Sequence, residues 1–118
     1  MDEQPDDAFA TRMLEVDGVP CFQLGVFKPF PEDGGAYWRC AYAVNGPLTK
    51  HVGSVCGHDA MQALLFALYM LREEADNSKE NEARRLAWDG QSLHFGLPSI
   101  DDDPGIVELR KRREAVPE

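Results

Sequence analysis

The sequence predicts an α+β fold: a four-stranded antiparallel meander packed against one long buried helix, with a short C-terminal hairpin or strand and a terminal helix. Three observations carry that expectation. Residues 11–56 hold period-two apolar runs joined by short turns. One run of strong helix formers opens after Asp59. Asp103-Pro104 then places a cap and a first-position proline at the start of a last helix.

The elements follow in order. Thr11 to Val16 reads as a strand, with Met13 and Leu14 its apolar content. Asp17-Gly18 is a turn signal, and Val19 to Phe27 returns with Phe22, Leu24 and Val26 on one face. Lys28 to Gly35, with two prolines and two glycines, reads as a loop. Ala36 to Asn45 is the strongest strand: Trp38, Cys40, Tyr42 and Val44 share one face, and Tyr37, Arg39, Ala41 and Ala43 the other. Asn45-Gly46 marks a hairpin turn that Pro47 lengthens, and Leu48 to Cys56 is the returning strand.

The helix opens at Ala60 and runs to about Ala75. Asp59 is placed to cap it, with Gln62 reaching back as in a capping box. Met61, Leu64, Leu65, Leu68 and Leu71 form an apolar stripe, edged by Ala60, Ala63 and Ala67. Phe66 and Met70 point elsewhere, so the helix needs cover on a second side, from the C-terminal third or from a second subunit. Glu73 to Glu82 reads as a fraying end and loop, Ala83 to Trp88 as a short helix or strand, and Ser92 to Phe95, after the Asp89-Gly90 turn, as part of a small hairpin or a bent strand.

At 118 residues the chain has room for one core. Residues 1–9 are expected as a flexible acidic tail, 10–98 as a single α+β domain, and 99–118 as a C-terminal extension with a short helix. The longest apolar stretch, Ala63 to Leu71, falls far short of the roughly 20 residues of a membrane span. The acidic N-terminus does not read as a signal peptide, and a cytoplasmic location is expected. Three cysteines without a dense pattern predict reduced thiols.

The net charge is −9, which disfavours phosphate backbones and so nucleic-acid partners. Residues 73–82 carry five acids against Lys79, residues 101–103 are three aspartates, and Arg110 to Arg113 form the one basic run. Such runs read first as solvated faces and second as a surface that steers a basic partner. Phosphate-binding glycine loops, HExxH, GxSxG and CxxC motifs are absent, so no cofactor and no catalytic residue is assigned. Asp101 to Asp103 lack the spacing of a calcium loop, and Trp38 and Trp88 read as core anchors.

One constellation has ligand chemistry. His51, Cys56 and His58 cluster where the fourth strand meets the helix, with Cys40 on the neighbouring strand, a set competent for zinc. Cys56 is alternatively a nucleophile at the helix N-terminus, with His58 its base.

The segment Gly57-His58-Asp59-Ala60-Met61-Gln62-Ala63-Leu64-Leu65-Phe66-Ala67-Leu68 resembles the helix start of a small bacterial family known as a domain of unknown function. Trp38-Arg39-Cys40, Leu86-Ala87-Trp88-Asp89-Gly90 and Phe95-Gly96-Leu97-Pro98 add to the likeness, which spans roughly residues 12 to 98. The resemblance implies a bacterial source and a compact sheet-plus-helix domain, with no reaction or cofactor. The functional expectation is therefore a non-catalytic, acidic protein-binding module, in the manner of toxin-neutralising immunity proteins. The alternative is a metal-binding protein or enzyme built on His51, Cys56 and His58. A homodimer face at Phe66, Tyr69 and Met70 is a further expectation.

Overall fold

A computed structural model describes residues 8–90 and 94–115. The architecture is α+β, one antiparallel six-stranded sheet under a principal helix. Strands β1 (Ala10–Val16) and β2 (Val19–Val26) form the first hairpin. Its turn is Asp17-Gly18, both at positive φ, which matches the right-handed twist of the flanking strands. Leu14 pairs with Phe22 and Glu15 with Pro20, so Cys21 is the extra residue of a β-bulge.

Strand β4 (Tyr37–Asn45) lies at the centre, with β5 (Lys50–Gly57) along the whole of one edge. Its other edge is shared. Residues Tyr42 to Asn45 pair with β2, and Tyr37 to Arg39 pair with β3 (Phe30–Glu32). This corrects the loop expected over Lys28 to Gly35. Pro29 and Pro31 punctuate the chain, but the segment resumes the line of β2 after a jog, and only tertiary pairing makes it a strand. Among the described residues β5 pairs with β4 alone, so it is an edge strand.

Helix α1 (Ala60–Asp76) packs on β2, β4 and β5. Below it lie Leu14, Phe22, Leu24, Val26, Cys40, Tyr42 and Val44, the apolar faces that period-two spacing predicts. The side of α1 buried against them is Ala63, Ala67, Leu71 and Ala75; of the predicted stripe only Leu71 is buried, while Leu64 and Leu68 pack at the margin, partly buried. Met61, placed in that stripe by spacing, is 82% exposed. Small residues win the interface because they let the helix axis approach the sheet. Gly57 shows how close the approach is: a Cβ there would meet the Ala63 amide nitrogen at 2.5 Å.

The start of α1 follows from its cap. The Asp59 carboxylate accepts from the Gln62 amide at 2.8 Å, and Gln62 Oε1 accepts from the His58 amide at 2.7 Å. Two donors at the helix entrance are thereby satisfied reciprocally, the second one residue earlier than a standard capping box. Asp59→Ala is expected to cost about 1 kcal/mol, read from the urea midpoint, with an unchanged slope.

The segment after α1 also differs from expectation. Ser78 caps a second, one-turn helix, α2 (Lys79–Glu82), and both Ser78 and Glu80 are buried. A two-residue strand, β6 (Leu86–Ala87), then joins β1 at the far edge of the sheet. Of the hairpin or bent strand expected over Ser92 to Phe95, residues 92 and 93 lie outside the described residues. His94 to Gly96 form a single 3-10 turn, which replaces the strand there. The expected N-terminal tail lies outside the described residues up to Asp7. The last helix, α3 (Pro104–Ala115), begins as predicted: Asp103 Oδ1 accepts from the Gly105 and Ile106 amides at 2.9 and 3.3 Å.

Candidate functional site

Strand parity decides where the expected ligands fall. His51 pairs with Val44 and Cys56 with Arg39, and the five-residue separation puts them on opposite faces of the sheet. His51 stands on the helix side, 5.8 Å from the Tyr42 ring and with Nε2 3.5 Å from a Glu74 carboxylate oxygen. Cys56 is exposed on the far side beside Arg39. That guanidinium binds Glu32 at 2.9 Å and Ser54 Oγ at 2.8 Å, and the bond to it holds the Glu32 carboxyl below its ordinary value. His58 lies past the strand end, its amide spent on Gln62. Cys40 is buried in the core with its thiol donating to Phe27 O at 3.3 Å. The four are therefore dispersed, and among the described residues no three His, Cys, Asp or Glu side chains gather as a metal site.

What the fold does assemble is an acid-edged cleft along the outer side of α1. It measures about 400 Å³ and is lined by Tyr69, Met70, Glu73, Glu74, Asn77 and Ile100. Helical spacing puts Tyr69, Met70, Glu73, Glu74 and Asn77 on adjoining turns, and the chain after Ser99 closes the cleft from the side. The closure is specific. Tyr69 is buried, and its hydroxyl donates to Asp103 Oδ2 at 2.7 Å. Burial first, then the Asp103 carboxylate, pushes the Tyr69 hydroxyl up to about 12. The same bond holds the Asp103 carboxyl low. Arg72 donates to Leu97 O at 3.2 Å and pins the chain just before it. The C-terminal segment thus supplies cover for the second side of α1 at Tyr69, while Phe66 and Met70 stay half-buried.

The acids of residues 73–82 do not form one solvated face. Glu80 is fully buried, Asp76 pairs with Arg72 at 2.9 Å, and Asn77 donates to Glu73 at 3.3 Å. Neither Glu73 nor Glu74 has a Lys or Arg partner among the described residues. The basic run is partly spent as well, since Arg110 binds Asp101 at 2.7 Å and Arg112 lies 3.5 Å from Glu108.

Sequence reasoning missed the site of Glu80. Its carboxylate accepts from the Leu48 amide at 2.8 Å and the Thr49 hydroxyl at 2.7 Å, fastening the β4–β5 loop to α2. The one local signal was Ser78, a cap two residues before it, which an acidic run obscured.

Fold and site together define a small α+β domain with no assembled metal cluster among its described residues and an acid-edged cleft on its main helix. The chain belongs to the family described as a domain of unknown function, DUF6968, whose model matches residues 10–99. No curated protein and no solved structure matches it. No described helix is long and apolar enough to cross a membrane.

Proposed function

We propose that the chain is a non-catalytic, acidic binding module of bacterial type that docks a basic protein in the cytoplasm, in the manner of toxin-neutralising immunity proteins. One observation carries the reading: among the described residues Glu73 and Glu74 have no Lys or Arg partner, Glu74 meeting only the imidazole of His51, and they stand over a cleft lined by Tyr69, Met70 and Ile100. Such a cleft suits an apolar side chain flanked by Lys or Arg, since the apolar wall supplies contact area and the carboxylates supply register and steering. The net charge of −9 extends the attraction beyond the contact itself.

Expression of the tagged chain in its native cells, followed by recovery at low and high salt, tests this. The expected result is one basic partner, kept at low salt and lost at high salt. Glu73→Lys with Glu74→Lys should weaken that partner by roughly tenfold or more. A partner that the double variant retains undiminished overturns the assignment of the cleft.

A further inference from the structure

A second cleft lies at the opposite flank of α1, where the helix leaves the β1–β2 end of the sheet. Its volume is about 170 Å³, and its walls are Leu24, Val26, Leu68, Leu71, Leu97 and Pro98. Among the lining residues one is charged, Arg12. That guanidinium has no carboxylate partner among the described residues. Nη1 donates to Phe95 O at 3.2 Å and to Gly96 O at 2.9 Å, and the group stacks on the Trp88 ring at 4.0 Å. Nε and Nη2 meet no acceptor among the described residues.

The backbone beside Arg12 is held in an unusual conformation. His94, Phe95 and Gly96 have φ of 48, 48 and 69°, left-handed in succession. Two of the three carry side chains that disfavour this region, so the surroundings must impose it. Phe95 is buried, and a Cβ at Gly96 would overlap Trp88. The turn, Arg12 and Trp88 therefore form one rigid corner that fixes a positive charge at an apolar opening.

We infer that this cleft binds a small carboxylate with an apolar body of about six carbon atoms. The volume fits, because an apolar cavity of about 150 Å³ accepts benzene. The charge fits too, because a guanidinium with donors to spare pairs best with a planar carboxylate. Repulsion from the acidic surface is short-ranged at physiological salt, where the screening length is about 8 Å.

The test is titration of the intact, isotope-labelled protein with sodium hexanoate and, separately, 1-hexanol at physiological salt, followed by amide chemical shifts. Hexanoate is expected to shift Thr11, Leu24 and Leu97 along a saturating curve, about tenfold more tightly than hexanol. Arg12→Gln should bring hexanoate down to the hexanol level, and Leu68→Phe, which fills the cleft and leaves Arg12 in place, should abolish both. Equal affinity for the alcohol and the acid in the unaltered protein overturns the inference, as does a lack of saturable shifts at these residues. That comparison needs no variant, so it stands even if Arg12→Gln unfolds.

Discussion

Glu80→Ala is expected to remove about 3 kcal/mol of folding stability, a fall of roughly 10 °C in melting temperature for a chain of this size. The side chain is 0% exposed, and its two oxygens satisfy the Leu48 amide and the Thr49 hydroxyl. Truncation leaves that amide without its acceptor and frees the β4–β5 loop from α2. Glu80→Gln should cost less than half as much, because its amide oxygen can still accept from Leu48 and its NH2 can donate to the Thr49 oxygen. The same site sets an acid limit. Burial pushes the Glu80 carboxyl up, but the bonds from Thr49, Leu48 and neighbouring amides outweigh it and hold the group below its usual 4.5. A folded value below the unfolded one makes the stabilisation complete above the unfolded value, and it is lost as pH falls through the folded one. Melting curves between neutral pH and pH 3 should therefore show a steeper acid limb for the natural chain than for Glu80→Gln. Identical limbs in the two proteins would remove the carboxylate from the account.

Ala67→Leu should be about as costly, roughly 3 kcal/mol, because three added carbons must enter a helix–sheet interface with no room for them. Ala67 is 0% exposed and faces the sheet between Ala63 and Leu71. Met61→Ala, on the same helix, should stay within about 0.5 kcal/mol because its side chain stands in solvent. Urea unfolding of the two variants decides which side of α1 meets the sheet. If Met61→Ala proves the more damaging, the side of α1 that carries Met61 is the buried one and the helix is rotated.

That contrast also marks what can be read from the residues alone. The meander was legible because Phe22, Leu24 and Val26 and then Cys40, Tyr42 and Val44 alternate strictly, and because Asp17-Gly18 admits few conformations other than a turn. The start of α1 was legible because Asp59 and Gln62 carry a local hydrogen-bonding logic. The face of α1 was legible only in part. The small edge at Ala63 and Ala67 and the stripe's Leu71 are buried. The stripe itself was centred on leucines because hydrophobicity ranks leucine above alanine, while close packing on a sheet rewards the smaller side chain. Strand β3 escaped because three residues around Pro31 have no pattern until β4 lies beside them. The His51, Cys56 and His58 grouping rested on closeness in sequence, yet an odd separation along one strand divides His51 from Cys56 across the sheet. Glu80 escaped because nothing local separates a buried acceptor from the solvated acids around it.

The edge position of β5 carries one more consequence. Its eight residues hold no proline and a single charged side chain, Lys50, so its outer rim offers a second chain ready-made rungs for a ladder. Copies of an anion bearing nine net charges drift apart before such rungs engage. Near pH 4.7 that mutual repulsion vanishes while the Glu80 carboxylate, held below its usual 4.5, still clasps the loop leading into β5, so the rim is offered by the folded chain. The acidity of this chain is thus also a colloidal safeguard, and the conditions that silence it invite strand-to-strand precipitation.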